Sequence, residues 1–174
     1  MRTGTLLTAV TAGMLLLATA GPASAVTTSA SITVTGGALT ISAPPAAGSL
    51  GSRANSVAGG PINGLLGVVQ VNDARSAAAG SGWVASAISS AFTPPAGATV
   101  AASFVGYTAG TITKVGTATY VANDPPDLTG VAPVVTATGI TGDNSATWNP
   151  TINVAVPGGM AAAVYTAIIT HSVL

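Results

Sequence analysis

Cysteine is absent from the 174 residues, glutamate is absent too, and lysine occurs once. A chain without thiols has no disulfide staples and no thiolate ligands for a metal, so packing and backbone hydrogen bonds must hold it together. Charged residues make up 5% of the sequence, against roughly 25% in an ordinary soluble domain. Beyond Arg2 the only cations are Arg53, Arg75 and Lys114. That is too little positive charge to hold a phosphate backbone, which excludes nucleic acid as a partner. Aromatic residues are scarce as well, at 4%. So little charge also predicts modest colloidal solubility, and with it association with a surface or with other copies.

Long hydrophobic runs are missing except at the start. Arg2 is followed by a mostly apolar stretch, Leu6 to Ala20, then by Gly21-Pro22 and the small-x-small tripeptide Ala23-Ser24-Ala25. The run falls short of the ~20 residues that span a bilayer comfortably. Residues 1–25 therefore read as a cleaved secretory signal, with an uncleaved anchor helix as the alternative. On this reading the mature chain, 26–174, has no transmembrane span, and the protein is secreted, extracellular or associated with the cell wall.

What the mature chain does contain is Thr, Ser, Gly, Ala and Val in quantity, a composition that favours pleated strands and turns over helices and is too hydrophobic for disorder. Strands are expected at Ser31–Thr35 and Leu39–Ile41 (a hairpin, or one strand with a glycine bulge), with at most a fragment at 54–57. Further strands are expected at Val68–Asn72 and, after a loop over 77–82, at Trp83–Ile88. Thr99–Tyr107 and Thr111–Tyr120 read as two strands joined across Ala109-Gly110, followed by the loop Asn123-Asp-Pro-Pro-Asp127. Val131–Thr138 is broken by Pro133, which suggests an edge position. Gly142-Asp143-Asn144 reads as a turn into Ala146–Val156, and Val164–Val173 as the last strand. With turn signals every ten to fifteen residues, the fold class is all-β, a single antiparallel β-sandwich of Ig-like or Greek-key type; a closed barrel is the alternative.

Three stretches carry a resemblance. Leu66-Gly-Val-Val-Gln-Val-Asn-Asp-Ala-Arg75 with Gly82-Trp-Val-Ala85 resembles the first motif region of WxL-domain proteins of Gram-positive bacteria. Ala146-Thr-Trp-Asn-Pro-Thr-Ile-Asn-Val-Ala-Val-Pro157 looks like the strand and proline turn before that family's second motif. Tyr165-Thr-Ala-Ile-Ile-Thr-His-Ser-Val173 is similar to its terminal Tyr-x-x-x-Leu-Thr-Trp-x-Leu pattern. The motif-equivalent residues are Trp83, Tyr165 and His171, with Ala85 and Val173 at leucine positions and His171 at a tryptophan position. The likeness implies a divergent, actinobacterial-type WxL-like domain over 26–174 that binds the cell wall non-covalently. Its partner would be peptidoglycan or an associated glycan.

The candidate ligand-binding residues are Trp83, Asp73 and Arg75. Trp83 can stack on a sugar ring, or serve as the large core side chain of a sandwich poor in aromatics; the second use is the commoner. Asp73 and Arg75 share one side of an extended strand and can grip a polar glycan or form an ion pair beside Trp83. His171 lies on the more apolar side of the last strand, with no second metal ligand near it in sequence. Asn123, Asp124, Asp127, Asp143 and Asn144 match no calcium loop, and turn chemistry accounts for them. No metal and no cofactor is expected. With four aspartates, one histidine, no Gly-x-Ser-x-Gly elbow and no phosphate loop, no enzyme activity is expected either. The reading is a non-enzymatic envelope protein, with a self-associating structural surface subunit as the alternative and a carrier of an apolar ligand ranked last.

Overall fold

Alternation of apolar with hydroxyl-bearing side chains lets an extended chain bury one face and solvate the other. The computed structural model describes residues 27–174, and its regular structure is almost entirely such strands. In chain order they are β1 (Leu39–Ser42), β2 (Gly60–Leu65), β3 (Val69–Ser89), β4 (Val105–Thr108), β5 (Thr113–Ala122), β6 (Ala132–Trp148), β7 (Thr151–Val156) and β8 (Ile169–Val173). A 3-10 turn, Ala102–Phe104, leads into β4. The expected signal peptide, residues 1–25, lies outside the described residues. The body runs over Thr35–Leu174, and residues 27–34 carry no regular secondary structure. Among the described residues no helix is long and apolar enough to cross a membrane.

Two antiparallel sheets pack together as an all-β sandwich. Sheet A has the order β1-β3-β6-β5, with β8 also on β3; sheet B has the order β2-β7-β4. Val69, Val71 and Ala85 of β3 and Val135 and Ile140 of β6 meet Val105 and Tyr107 of β4 and Ile152 and Val154 of β7 in one core. Each fully buried side chain of this size contributes about 1.5–3 kcal/mol. Only β5 and β6 are neighbours both in sequence and in a sheet; every other connection passes from one sheet to the other. Strands distant in sequence therefore pair, as in Greek-key arrangements.

Several sequence expectations need correction. Ser31–Thr35 forms no strand, and β1 begins at Leu39. The stretch 60–65, full of turn residues, is β2, held in place by a six-residue ladder with β7. The strands before and after Ala109-Gly110 lie in different sheets rather than in one hairpin. Pro133 belongs to a central strand, but it lies beyond Ala122↔Val135, the last pair that β5 makes, and faces Ser86 of β3 just past a register shift, the kind of irregularity that admits proline. The run 146–156 is divided at Asn149-Pro150, where the chain turns from sheet A to sheet B and the Pro150 carbonyl accepts from Leu66 N at 2.9 Å. Only Ile169–Val173 of the expected last strand is regular.

The expected loop at 77–82 and turn at 142–144 are both inside strands, in a zone of bulges. Register shifts fall between Asp73 and Trp83 on β3, and between Val115 and Thr119 on β5. From Asp73↔Asn144 to Ser81↔Ile140, β3 advances eight residues while β6 advances four. Such extra residues bend and twist a sheet without ending it. Ser76 takes φ 53° here, and its amide is secured by Asp143 Oδ1 at 2.9 Å. Gly116, at φ 90°, is the matching irregularity on β5; a Cβ there would stand 2.7 Å from Asp143 O.

Candidate functional site

Asp73 continues the inward alternation of Val69 and Val71, so the pleat carries a carboxylate into the core, where it is 1% exposed. A buried carboxylate is tolerable only when paired. Arg75 pairs with it in bidentate fashion, Nε to Oδ1 at 2.8 Å and Nη2 to Oδ2 at 2.9 Å. The Arg75 backbone amide also donates to Oδ1 at 3.2 Å. From the facing strand, Asn144 Nδ2 donates to Oδ2 at 3.2 Å. The Arg75 guanidinium holds the Asp73 carboxyl below the usual carboxylate range, against the upward pull of burial. Arg75 in turn is raised by its bond to Asp73.

Asn144 ties this pair to the aromatic residues. Its Oδ1 accepts from Trp83 Nε1 at 3.0 Å and from the Tyr120 hydroxyl at 3.2 Å. The Trp83 and Tyr120 rings meet at a tilt, 5.7 Å between centroids, and Lys114 Nζ lies 5.7 Å from the Tyr120 centroid. Burial, then the Asp73 charge, raises the Tyr120 hydroxyl above its usual range. Trp83, Asp73 and Arg75 are thus brought together, but as a packed knot. Trp83 is 2% exposed, so no ring face is open to a sugar. Only Arg75 reaches solvent, with 38% of its side chain accessible.

A second knot joins the two sheets. Trp148 Nε1 of β6 donates to the Tyr107 hydroxyl of β4 at 2.8 Å, and that oxygen lies 3.2 Å from His171 Nε2 of β8. Because Tyr107 accepts from Trp148, its own proton is available to His171 Nε2, which satisfies both contacts with a neutral imidazole. Burial pushes the His171 imidazole down and the Tyr107 phenol up. Among the described residues His171 Nδ1 is left buried without a partner. Tyr165 joins neither knot; its hydroxyl donates to Ala161 O at 3.0 Å, in its own loop.

The motif-like segments touch at one end, where Ala85 faces Val173. β8 runs antiparallel to the second half of β3, with Ala85↔Val173 and Ala87↔His171 in register. The pairing continues as Val84 and Leu174 exchange backbone hydrogen bonds at 2.9 and 3.1 Å.

Sequence reasoning passed over the outer face of sheet B. Asn63, Asn153 and Gly106 form one row across β2, β7 and β4. Gly106 lets the loop 123–127 approach, since a Cβ there would come within 3.0 Å of Pro126 O. That loop is fixed along β4 by Tyr107 N donating to Pro125 O at 2.9 Å and Ala109 N donating to Asp124 Oδ1 at 2.7 Å. A groove of about 290 Å³ follows, bordered by Phe104 and Asp124. The signal available in sequence was Asn153, polar between the inward Ile152 and Val154.

Among the described residues no cluster of three or more His, Cys, Asp or Glu is placed to hold a metal ion. No family model, no curated protein and no solved structure matches this chain.

Proposed function

We propose that this is a secreted, non-enzymatic protein of the cell envelope that binds the wall non-covalently, in the manner of the WxL domains its sequence resembles. The observation that supports the reading is the pairing of β8 with the Trp83 end of β3. The two stretches that resemble the family's separate motifs meet at their ends, Ala85 opposite Val173, and the rest of β8 pairs with residues 86–89 just beyond the first stretch, although the two are more than eighty residues apart in sequence. The residues of the first stretch act through the fold: Asp73, Arg75 and Trp83 hold the bulged zone of sheet A in shape, and the wall component is met elsewhere on the surface. Retention of the purified chain on peptidoglycan sacculi, against a bovine albumin control, tests the reading. Retention above the control supports it; a chain that stays wholly in the supernatant rejects it.

A second reading, self-association through strand edges, is favoured by a difference between the sheets. Both borders of sheet B meet proline, Pro61 within β2 and Pro125 beside β4, and proline has no N–H to offer another strand. The borders of sheet A, at β5 on one side and at β1 and β8 on the other, carry no proline. Light scattering over a concentration series decides it, a constant monomer mass ruling out assembly.

A further inference from the structure

We infer that the groove on the outer face of sheet B is a binding site for an uncharged, N-acetylated sugar chain. This rests on the wall-binding reading and gives that reading a place on the molecule.

The chain has two Trp, three Tyr and two Phe. Six of the seven rings are buried or half-buried; Phe104 alone is exposed, at 44%, and it borders this groove. A solvent-facing aromatic ring in a chain this poor in aromatics is what stacking on the apolar face of a sugar needs. The 3-10 turn Ala102–Phe104 holds it at the entry to β4.

The floor supplies directional contacts. Asn153 Nδ2 donates to Thr108 Oγ1 at 2.9 Å, which fixes the amide while leaving Oδ1 free to accept. Asn63, exposed and directly across from Asn153 in the β2–β7 register, makes no side-chain hydrogen bond among the described residues. Two facing carboxamides can donate to and accept from an acetamido group, and the Phe104 ring can cover its methyl. Asp124, with Oδ1 held by Ala109 N, has Oδ2 available for a sugar hydroxyl.

Charge selects among polymers. The groove holds one carboxylate and neither arginine nor lysine, so a polyphosphate or polycarboxylate chain would meet repulsion with no compensating cation. A neutral acetamido sugar meets none.

The test is a 1H–15N NMR titration of the purified chain with the tetramer of N-acetylglucosamine, using the glucose tetramer as a control that lacks acetamido groups. Saturable shifts of the Asn63 and Asn153 side-chain amides and of the Gly106 and Thr108 backbone amides are expected, stronger with the acetylated tetramer. Phe104→Ala and Asn63→Ala are each expected to weaken binding by about tenfold, with unchanged urea midpoints, since both side chains are exposed. Shifts confined to other residues, no saturable shift, equal response to both tetramers, or unaltered affinity in the variants would each overturn the site. Retention on sacculi separates the two claims. If the double variant is retained as well as wild type, the groove is rejected and wall binding survives. If wild type is not retained but the tetramer still titrates the groove, the site stands and the wall reading fails.

Discussion

Asp73 and Asn144 face each other across the β3–β6 ladder and are joined side chain to side chain, Nδ2 to Oδ2, at 3.2 Å. The same Asn144 receives Trp83 and Tyr120 on its other atom. Asp73 and Trp83 are ten residues apart on one strand, yet both reach one asparagine, because the bulges between them take up the excess chain.

Replacing Asn144 should therefore cost far more than replacing an exposed asparagine. Asn144→Ala strands the buried indole N–H and removes one donor from Asp73, at about 1–3 kcal/mol for each unsatisfied group. A lowered urea midpoint with an unchanged slope is expected, whereas Asn63→Ala, exposed on β2, stays within about 0.5 kcal/mol of wild type. Equal midpoints for the two variants would contradict this account of the knot.

Acid should loosen the same knot. The folded Asp73 carboxyl is depressed by Arg75, so between its folded value and the unfolded value of ~3.9 the unfolded state binds more protons. The stabilisation is complete above that unfolded value and disappears as pH falls through the folded one. Urea midpoints measured across the acid range should show the decline in wild type and a flatter profile in Asp73→Asn.

His171 acts at higher pH with the same sign. Burial lowers its folded value below 6.5, so the unfolded chain takes up the proton first as pH drops. Stability present above about 6.5 should diminish as pH falls from there through the folded value. His171→Gln, neutral throughout, should lose that component, and an NMR titration of the imidazole reads the folded value directly.

Gly116 should resist substitution. Its φ of 90° and the 2.7 Å approach of Asp143 O to an added Cβ predict a loss of about 1–3 kcal/mol for Gly116→Ala. Gly80, also at positive φ but with open space around it, should lose less on the same change. Thermal melts of the pair provide the comparison.

Lys114 is the one charge on the border strand β5, and a charged edge discourages pairing with another chain. Lys114→Val should raise the mass measured by light scattering at high concentration. An unaltered monomer would mean that this border is not where copies meet.

The period-two pattern of Ile152, Val154 and Val156 was readable because strand geometry is imprinted locally. Gly60–Leu65 was not, because its glycines, proline and asparagine are turn formers on their own and become a strand only by pairing with β7, between Leu65↔Thr151 and Gly60↔Val156, far along the chain. Gly80-Ser-Gly82 and Gly142-Asp-Asn144 look like chain reversals in isolation; bulges use the same residue types inside continuous strands. The Asp73–Arg75 ion pair was legible from its spacing, since residues two apart share a face. Its third member, Asn144, is 71 positions away and becomes a neighbour only once the register is known. Trp83 was readable as a core side chain of a sandwich poor in aromatics, and it is buried, but its partner Asn144 was not, for the same reason.

The prolines at both margins of sheet B have an effect on how the molecule can evolve. Pro61 leaves a gap in the donor row of one margin, and the loop at Pro125 occupies Tyr107 N on the other, so a visiting backbone finds fewer free donors there than along the opposite panel. If a ligand is met on that outer surface and copies meet along the opposite sheet, a mutation that abolishes one trait should leave the other undisturbed.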